Sequence, residues 1–214
     1  MNCLSVQEEK IVAAIRSMYP IAVSQRHNYD ITDVKVGGFL SFRNQNWKVL
    51  EKSKYEEVKW GSFGKKKNPE LTHELKLFSL KTGEIVYIEY SVDDELSIYI
   101  TDKEVKLRDL NLSRTALDEI SEEEEGVISY NGSYFDYSDD ESWAALYFKD
   151  ESSNGLKVRF YEFENSSNQT LTVELWQDED EAERPDREAF LSSELLSSEI
   201  VILQIEDKLN GWRC

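Results

Sequence analysis

The sequence predicts a mostly β protein, with two duplicated barrel-like or sandwich-like β units behind one short N-terminal α-helix. Three observations lead there. From Phe39 onward the chain consists of short alternating runs rich in Val, Ile, Tyr, Phe and Trp, the pattern of half-buried strands. A helical period occurs once, ahead of Pro20. Two anchor segments recur at a nearly constant distance, the signature of an internal repeat.

Ser5 followed by Glu8 has the spacing of a capping box, and Ile11, Ala14, Ile15 and Met18 recur every three or four residues before Pro20 ends the pattern. A helix over about 5–18 is expected. A polar connector follows at 24–33. Strands are expected at Phe39–Arg43, Trp47–Lys54, His73–Leu80, Ile85–Val92, Leu96–Thr101 and Gly126–Tyr130. Five more are expected at Ser133–Tyr137, Trp143–Lys149, Lys157–Phe163, Thr170–Trp176 and Ile200–Ile205.

The repeat supplies the organisation. Gly38-Phe39-Leu40-Ser41-Phe42 is matched 88 residues later by Gly126-Val127-Ile128-Ser129-Tyr130. Ile88-Glu89-Tyr90, followed by Asp93-Asp94-Glu95, is matched at an offset of 85 by Val173-Glu174-Leu175, followed by Asp178-Glu179-Asp180. Turns at Lys81–Glu84 and Asn165–Asn168 fall in equivalent places. The expected divisions are a helix and connector (1–33), a first β unit (34–117), an acidic linker (118–125), a second β unit (126–207) and a tail (208–214). Alternation within the anchors points Val86, Ile88, Tyr90, Leu171, Val173 and Leu175 at the cores.

Of the 214 residues, 43 are acidic and 25 basic, for a net charge of −18. The imbalance is segmental: residues 1–34 carry −1, 35–81 carry +6 and 82–214 carry −23. So long an acidic portion repels nucleic-acid phosphates and anionic lipid, and DNA is not an expected partner. No apolar run approaches a membrane span, and Glu8, Glu9 and Lys10 stand where a signal peptide needs an apolar stretch. A soluble cytoplasmic protein is the reading. Cys3 and Cys214, at opposite ends of the chain, read as free thiols, with a bridge between the termini left open.

Three segments carry a family resemblance: His73-Glu74-Leu75-Lys76-Leu77, then Tyr87-Ile88-Glu89-Tyr90 with Asp93-Asp94, and Leu171-Thr172-Val173-Glu174-Leu175-Trp176. Over about residues 34–205 the chain resembles the bacterial domain of unknown function 4178 family. The resemblance implies no established activity. The family's members occur beside genes for membrane-stress proteins of the phage-shock type and for polyamine synthesis, which implies a link to envelope or stress physiology.

Residues that could carry chemistry are few. His27 and His73 are the only histidines, so a hydrolase would have to centre on His73, with no nucleophile elbow or nearby cysteine to support it. A histidine partly covered on a sheet face is the plainer reading, and no enzyme activity is expected. Two histidines and two terminal cysteines lack zinc-ligand spacing. Gly61-Ser62-Phe63-Gly64-Lys65 has its glycines too close together for a phosphate-binding loop. The runs Asp178–Glu181 and Asp136 with Asp139–Glu141 invite a calcium reading, but counted from Asp178 the EF-hand glycine position holds Glu183, and solvated turns are the plainer reading. No metal or cofactor is expected.

Two binding patterns remain. Glu89 and Glu174 interrupt apolar strands at equivalent repeat positions, beside Tyr87 and Trp176, and together these four could hold a polyamine or other small cation in a groove between the units. Alternatively, each glutamate faces solvent and pairs with Lys76 or Arg159 on a neighbouring strand. Lys52, Lys54, Lys59, Lys65, Lys66 and Lys67 interleave with Tyr55, Trp60 and Phe63, a combination that suits a partner surface or an edge guarded by lysines. Lys65, Lys66, Lys67 and Trp60 are the candidate partner-binding residues, a protein being favoured over lipid or nucleic acid because of the −23 portion. The leading functional reading is a non-enzymatic interaction module, and the alternative is a polyamine or cation binder.

Overall fold

The computed structural model describes residues 5–110, 112, 114–123, 125–150, 152–177 and 186–206. Cys3, Cys214, the Asp178–Glu181 run and the tail at 208–214 lie outside these residues. The first helix, α1 (Val6–Ser17), starts where the capping box puts it. The Glu8 amide donates to Ser5 Oγ at 3.2 Å and the Ser5 amide donates to the Glu8 carboxylate at 2.7 Å. The latter bond holds the Glu8 carboxyl below its usual pKa. Ala14 is buried, and Ile11 and Met18 pack with it onto Phe39, Phe78, Leu80 and Leu203.

The strands are β1 (Phe39–Phe42), β2 (Gln45–Val58), β3 (Leu71–Ser79), β4 (Ile85–Val92) and β5 (Leu96–Glu104). Helices α2 (Leu107–Leu110) and α3 (Arg114–Glu123) come next. Then follow β6 (Gly126–Tyr130), β7 (Ser133–Phe148), β8 (Leu156–Glu164), β9 (Gln169–Gln177), β10 (Asp186–Glu194) and β11 (Val201–Gln204). They hydrogen-bond in the order β11-β1-β2-β3-β4-β5-β10-β9-β8-β7-β6, and β2 pairs a second time with β7. That second ladder closes an eight-stranded antiparallel barrel from β2 to β5 and β7 to β10, leaving β1, β6 and β11 as extensions. The protein is therefore mostly β, as expected. Among the described residues no helix is long and apolar enough to cross a membrane.

Three expectations are corrected. Residues 118–125 were expected as a linker, yet α3 runs through most of them: Leu117 and Ile120, three apart, bury one side of it while its carboxylates stay in water. Ser133–Tyr137 and Trp143–Lys149 belong to one long strand, β7, whose pairing with β8 shifts register between Tyr137 and Ser142. Asp186–Glu194, where no strand was expected, is β10, fully paired along β9 and joined to β5.

The chain divides into two compact units that interleave along it instead of following the 34–117 and 126–207 boundaries. One comprises Met1–Lys52, Glu74–Glu89 and Leu195–Cys214; the other comprises Ser53–His73 and Tyr90–Glu194. In the first, Phe39, Phe78 and Leu80 anchor the cluster under α1. In the second, one cluster gathers Leu117, Phe135, Tyr161, Phe163, Leu171 and Val173, and a smaller one gathers Tyr55, Ala145, Val158 and Phe160. Ile88, Tyr90, Leu171, Val173 and Leu175 are buried as alternation requires, and Val86 is half-buried.

Candidate functional site

The smaller cluster of the second unit belongs to a sheet face on which aromatic and acidic side chains alternate. Antiparallel register builds it. Tyr55 of β2 sits opposite Tyr147 of β7; Trp143 of β7 sits opposite Phe160 of β8; Phe160 sits opposite Glu174 of β9; and Glu174 sits opposite Glu188 of β10. Directly opposed residues share a face, and so do residues two apart on one strand. In the middle stand Ala145 and Val158, small enough for neighbouring rings to lean over them. Trp143 stacks on Phe160 at 3.9 Å, Tyr55 meets Phe160 edge-on at 5.3 Å, and Tyr147 meets Trp176 edge-on at 5.3 Å. Phe160 and Tyr55 are buried; Trp143, Tyr147 and Trp176 keep part of their surface in water.

The carboxylates are tied to these rings. Trp176 Nε1 donates to Glu174 at 2.8 Å, and Trp143 Nε1 donates to Glu162 at 2.9 Å. Glu174 is only 5% exposed, so its oxygens are aimed by the sheet and not by solvent. Along the adjacent strands Asp186 opposes Trp176 and Phe190 opposes Glu104, which brings Glu104, Asp186 and Glu188 to one side. Partial burial, and then the charges of Glu104 and Asp186, push the Glu188 carboxyl above its usual pKa. At the β2 end Glu57 is ion-paired with Lys66. Ring faces and clustered carboxylates both attract positive charge, and a cation placed here would offset the repulsion of Glu104 and Asp186 that adds to the effect of burial on Glu188.

Of the four residues foreseen as ligand-binding, Glu174 and Trp176 are brought together here. Glu89 and Tyr87 lie on β4 within the first unit, half-buried, where the Lys76 ammonium stands 5.9 Å from the Tyr87 ring. Lys76 donates to Glu51 at 3.0 Å. Glu174 is neither solvent-facing nor paired with Arg159, which points to the opposite side of β8 with Tyr161. There the Arg159 guanidinium lies 5.1 Å from the Trp60 ring and 5.2 Å from the Phe63 ring, and Trp60 meets Tyr161 edge-on. Those contacts engage the ring of Trp60 that a partner was expected to use.

The lysine-aromatic stretch is not one surface. Tyr55 is buried, Lys54 lies over Phe148, and Lys52 donates to the Val34 carbonyl, burial lowering its pKa. Lys65 and Lys67 are exposed. His73 is half-buried, its ring stacked on Tyr90 at 5.1 Å. Sequence reasoning missed Trp143, Tyr147, Phe160, Glu162 and Glu188 as members of the acidic face. Each stands at an alternating strand position, but only register shows that they are neighbours.

No curated protein and no solved structure matches the chain. The family described as domain of unknown function DUF4178 matches residues 35–185, which takes in the acidic aromatic face up to β9 and leaves α1, β10 and β11 outside. With that match over most of its length, the chain belongs to the DUF4178 family.

Proposed function

We propose that the protein is a non-catalytic binding module and that the acidic aromatic face of its second unit receives an organic cation of the polyamine class. One observation carries the reading: a nearly buried carboxylate, Glu174, held by the Trp176 indole and placed opposite Glu188, whose own proton affinity is raised by desolvation and then by the charges of Glu104 and Asp186. Isothermal titration with spermidine and putrescine, repeated in buffers of different ionisation enthalpy, tests it. Binding should release protons near the raised pKa of Glu188, because a nearby cation favours its ionised form. Glu188→Gln should weaken binding and abolish the proton release. Heats no larger than those of sodium chloride at equal ionic strength would remove the reading.

A protein partner at the exposed Lys65 and Lys67 edge is the second reading, supported by the contrast between this basic segment and the acidic remainder of the chain. Reversing Lys65, Lys66 and Lys67 to glutamate should leave the circular dichroism unchanged and reduce capture of specific partners at low salt. Undiminished capture by a folded variant makes the cluster an edge guard only.

Internal duplication is part of the same proposal. The β1–β2 turn, Arg43-Asn44, and the β6–β7 turn, Asn131-Gly132, both have positive φ at two residues and stand 88 apart. In the β2–β7 ladder Glu57 pairs with Ala145, also 88 apart, as two equivalent strands related by a twofold would pair.

A further inference from the structure

A groove of about 740 Å³ lies in the first unit between α1 and the sheet it covers. Its volume is within the range of small-molecule sites. Val6, Ala13 and Ala14 of the helix face Leu50, Phe78 and Ile85 of the sheet across it. Small residues on this side of α1 create the space: the helix buries Ala14 and Ser17 where a larger residue would fill the gap. Gly83 turns the chain beside the helix with a φ of +77°, a conformation that favours glycine. Apolar surface is left uncovered as a result, with Val6 at 72%, Ile85 at 42% and Leu50 at 37% exposure.

Charge identifies the occupant. Among the described residues Lys10 and Lys48 are the charged ones lining the groove and none lining it is acidic, in a chain with 43 acidic and 25 basic residues. The Lys48 ammonium stands 3.5 Å from Ser17 Oγ and 5.4 Å from the Phe39 ring centre. Apolar walls with two ammonium groups complement a molecule that has an apolar tail and a single anionic head. A polyamine is excluded here by the same two charges, so this site is independent of the acidic face.

We propose that the groove under α1 binds a medium-chain aliphatic carboxylate, its tail along Leu50, Phe78 and Ile85 and its head at Lys10 and Lys48. The test uses the full chain with laurate, dodecanol and dodecylamine, each below its micelle concentration, followed by calorimetry and thermal unfolding. Laurate should bind and raise the melting temperature, while dodecanol binds roughly tenfold more weakly, the size of one charge-assisted contact, and dodecylamine does not bind. Leu50→Glu alters a residue that is partly in water already; it should stay folded and lose laurate. Lys10→Gln, on the exposed helix, should narrow the difference between laurate and dodecanol. Equal binding of all three probes, no binding of laurate, or laurate binding unchanged in Leu50→Glu would overturn the proposal. Co-sedimentation with phosphatidylglycerol vesicles but no binding of monomeric laurate would overturn it too, assigning the groove to a membrane surface.

Discussion

The acidic aromatic face and the groove under α1 are built in opposite ways. In the first, five adjacent strands place each ring and carboxylate through backbone ladders, and the rings pack on one another. In the second, a twelve-residue helix docks on a sheet through Ile11 and Ala14, and beside that contact a groove stays open. A site formed by register inherits the stability of the sheet. A site formed by docking depends on how firmly the docked element is held.

The largest expected effect tests whether the ring cluster is truly packed. Phe160→Ala removes a side chain 2% exposed that contacts Trp143 and Tyr55, and should cost about 3–5 kcal/mol in urea unfolding. A cost below about 1 kcal/mol would make the face as loosely built as the groove. Next, Trp176→Phe keeps an aromatic ring but withdraws the indole donor from buried Glu174, which should cost about 1–3 kcal/mol. An unchanged midpoint would mean that the indole bond does not hold the carboxylate.

On the groove side, Ser5→Ala should cost about 1 kcal/mol and weaken laurate binding, because the cap holds the first turn that carries Val6 and Gln7. The same cap has a pH signature. The folded pKa of Glu8 is depressed, so its contribution is present above its ordinary value near 4.5 and is lost as pH falls through the folded value. Laurate binding should therefore decline on acidification in the wild type more than in Glu8→Gln. Binding that follows the same pH curve in both would detach the groove from the cap.

The smallest effect belongs to Glu188, whose pKa shifts the other way. An acid with a raised folded pKa contributes most below its ordinary value near 4.5, and that contribution is lost as pH rises through the folded value. Glu188→Gln should thus leave stability unchanged at low pH and raise it slightly at pH 7, by at most about half a kilocalorie per mole because Glu188 is exposed and solvent screens its neighbours' charges. Destabilisation at pH 7 would mean that the carboxylates of the acidic face do not repel one another.

Legibility differed in the same way between the two regions. α1 was readable because a capping box and a helical period are local, and both ends were met to within a residue. Ile85–Val92 and Gly126–Tyr130 were readable to the residue because alternation and flanking turns are local too. β10 was not: Asp186-Arg187-Glu188-Ala189 reads as polar, and only pairing with β9 and β5 makes it a strand. α3 was obscured by its carboxylates, which outnumber the two apolar residues that dock it.

For the candidate site, local order was enough to single out Glu174 and Trp176 as a glutamate and an aromatic close together on one strand. It was not enough to show that Glu174 is buried, or that Trp143, Phe160 and Glu188 stand beside it. Side-chain alternation is a property of one strand and is written in its residues. Which strands lie side by side, and in what register, is settled by ladders between residues far apart in the chain: Trp143 with Phe160, Phe160 with Glu174, Glu174 with Glu188. A shift of one residue in any of those ladders would send the carboxylates to the other face with the composition unchanged. Element type was therefore written in the sequence where its signals are local, as in α1, β4 and β6, whereas the strand at Asp186–Glu194 and the gathering of charge and rings on one surface were decided only when the barrel closed.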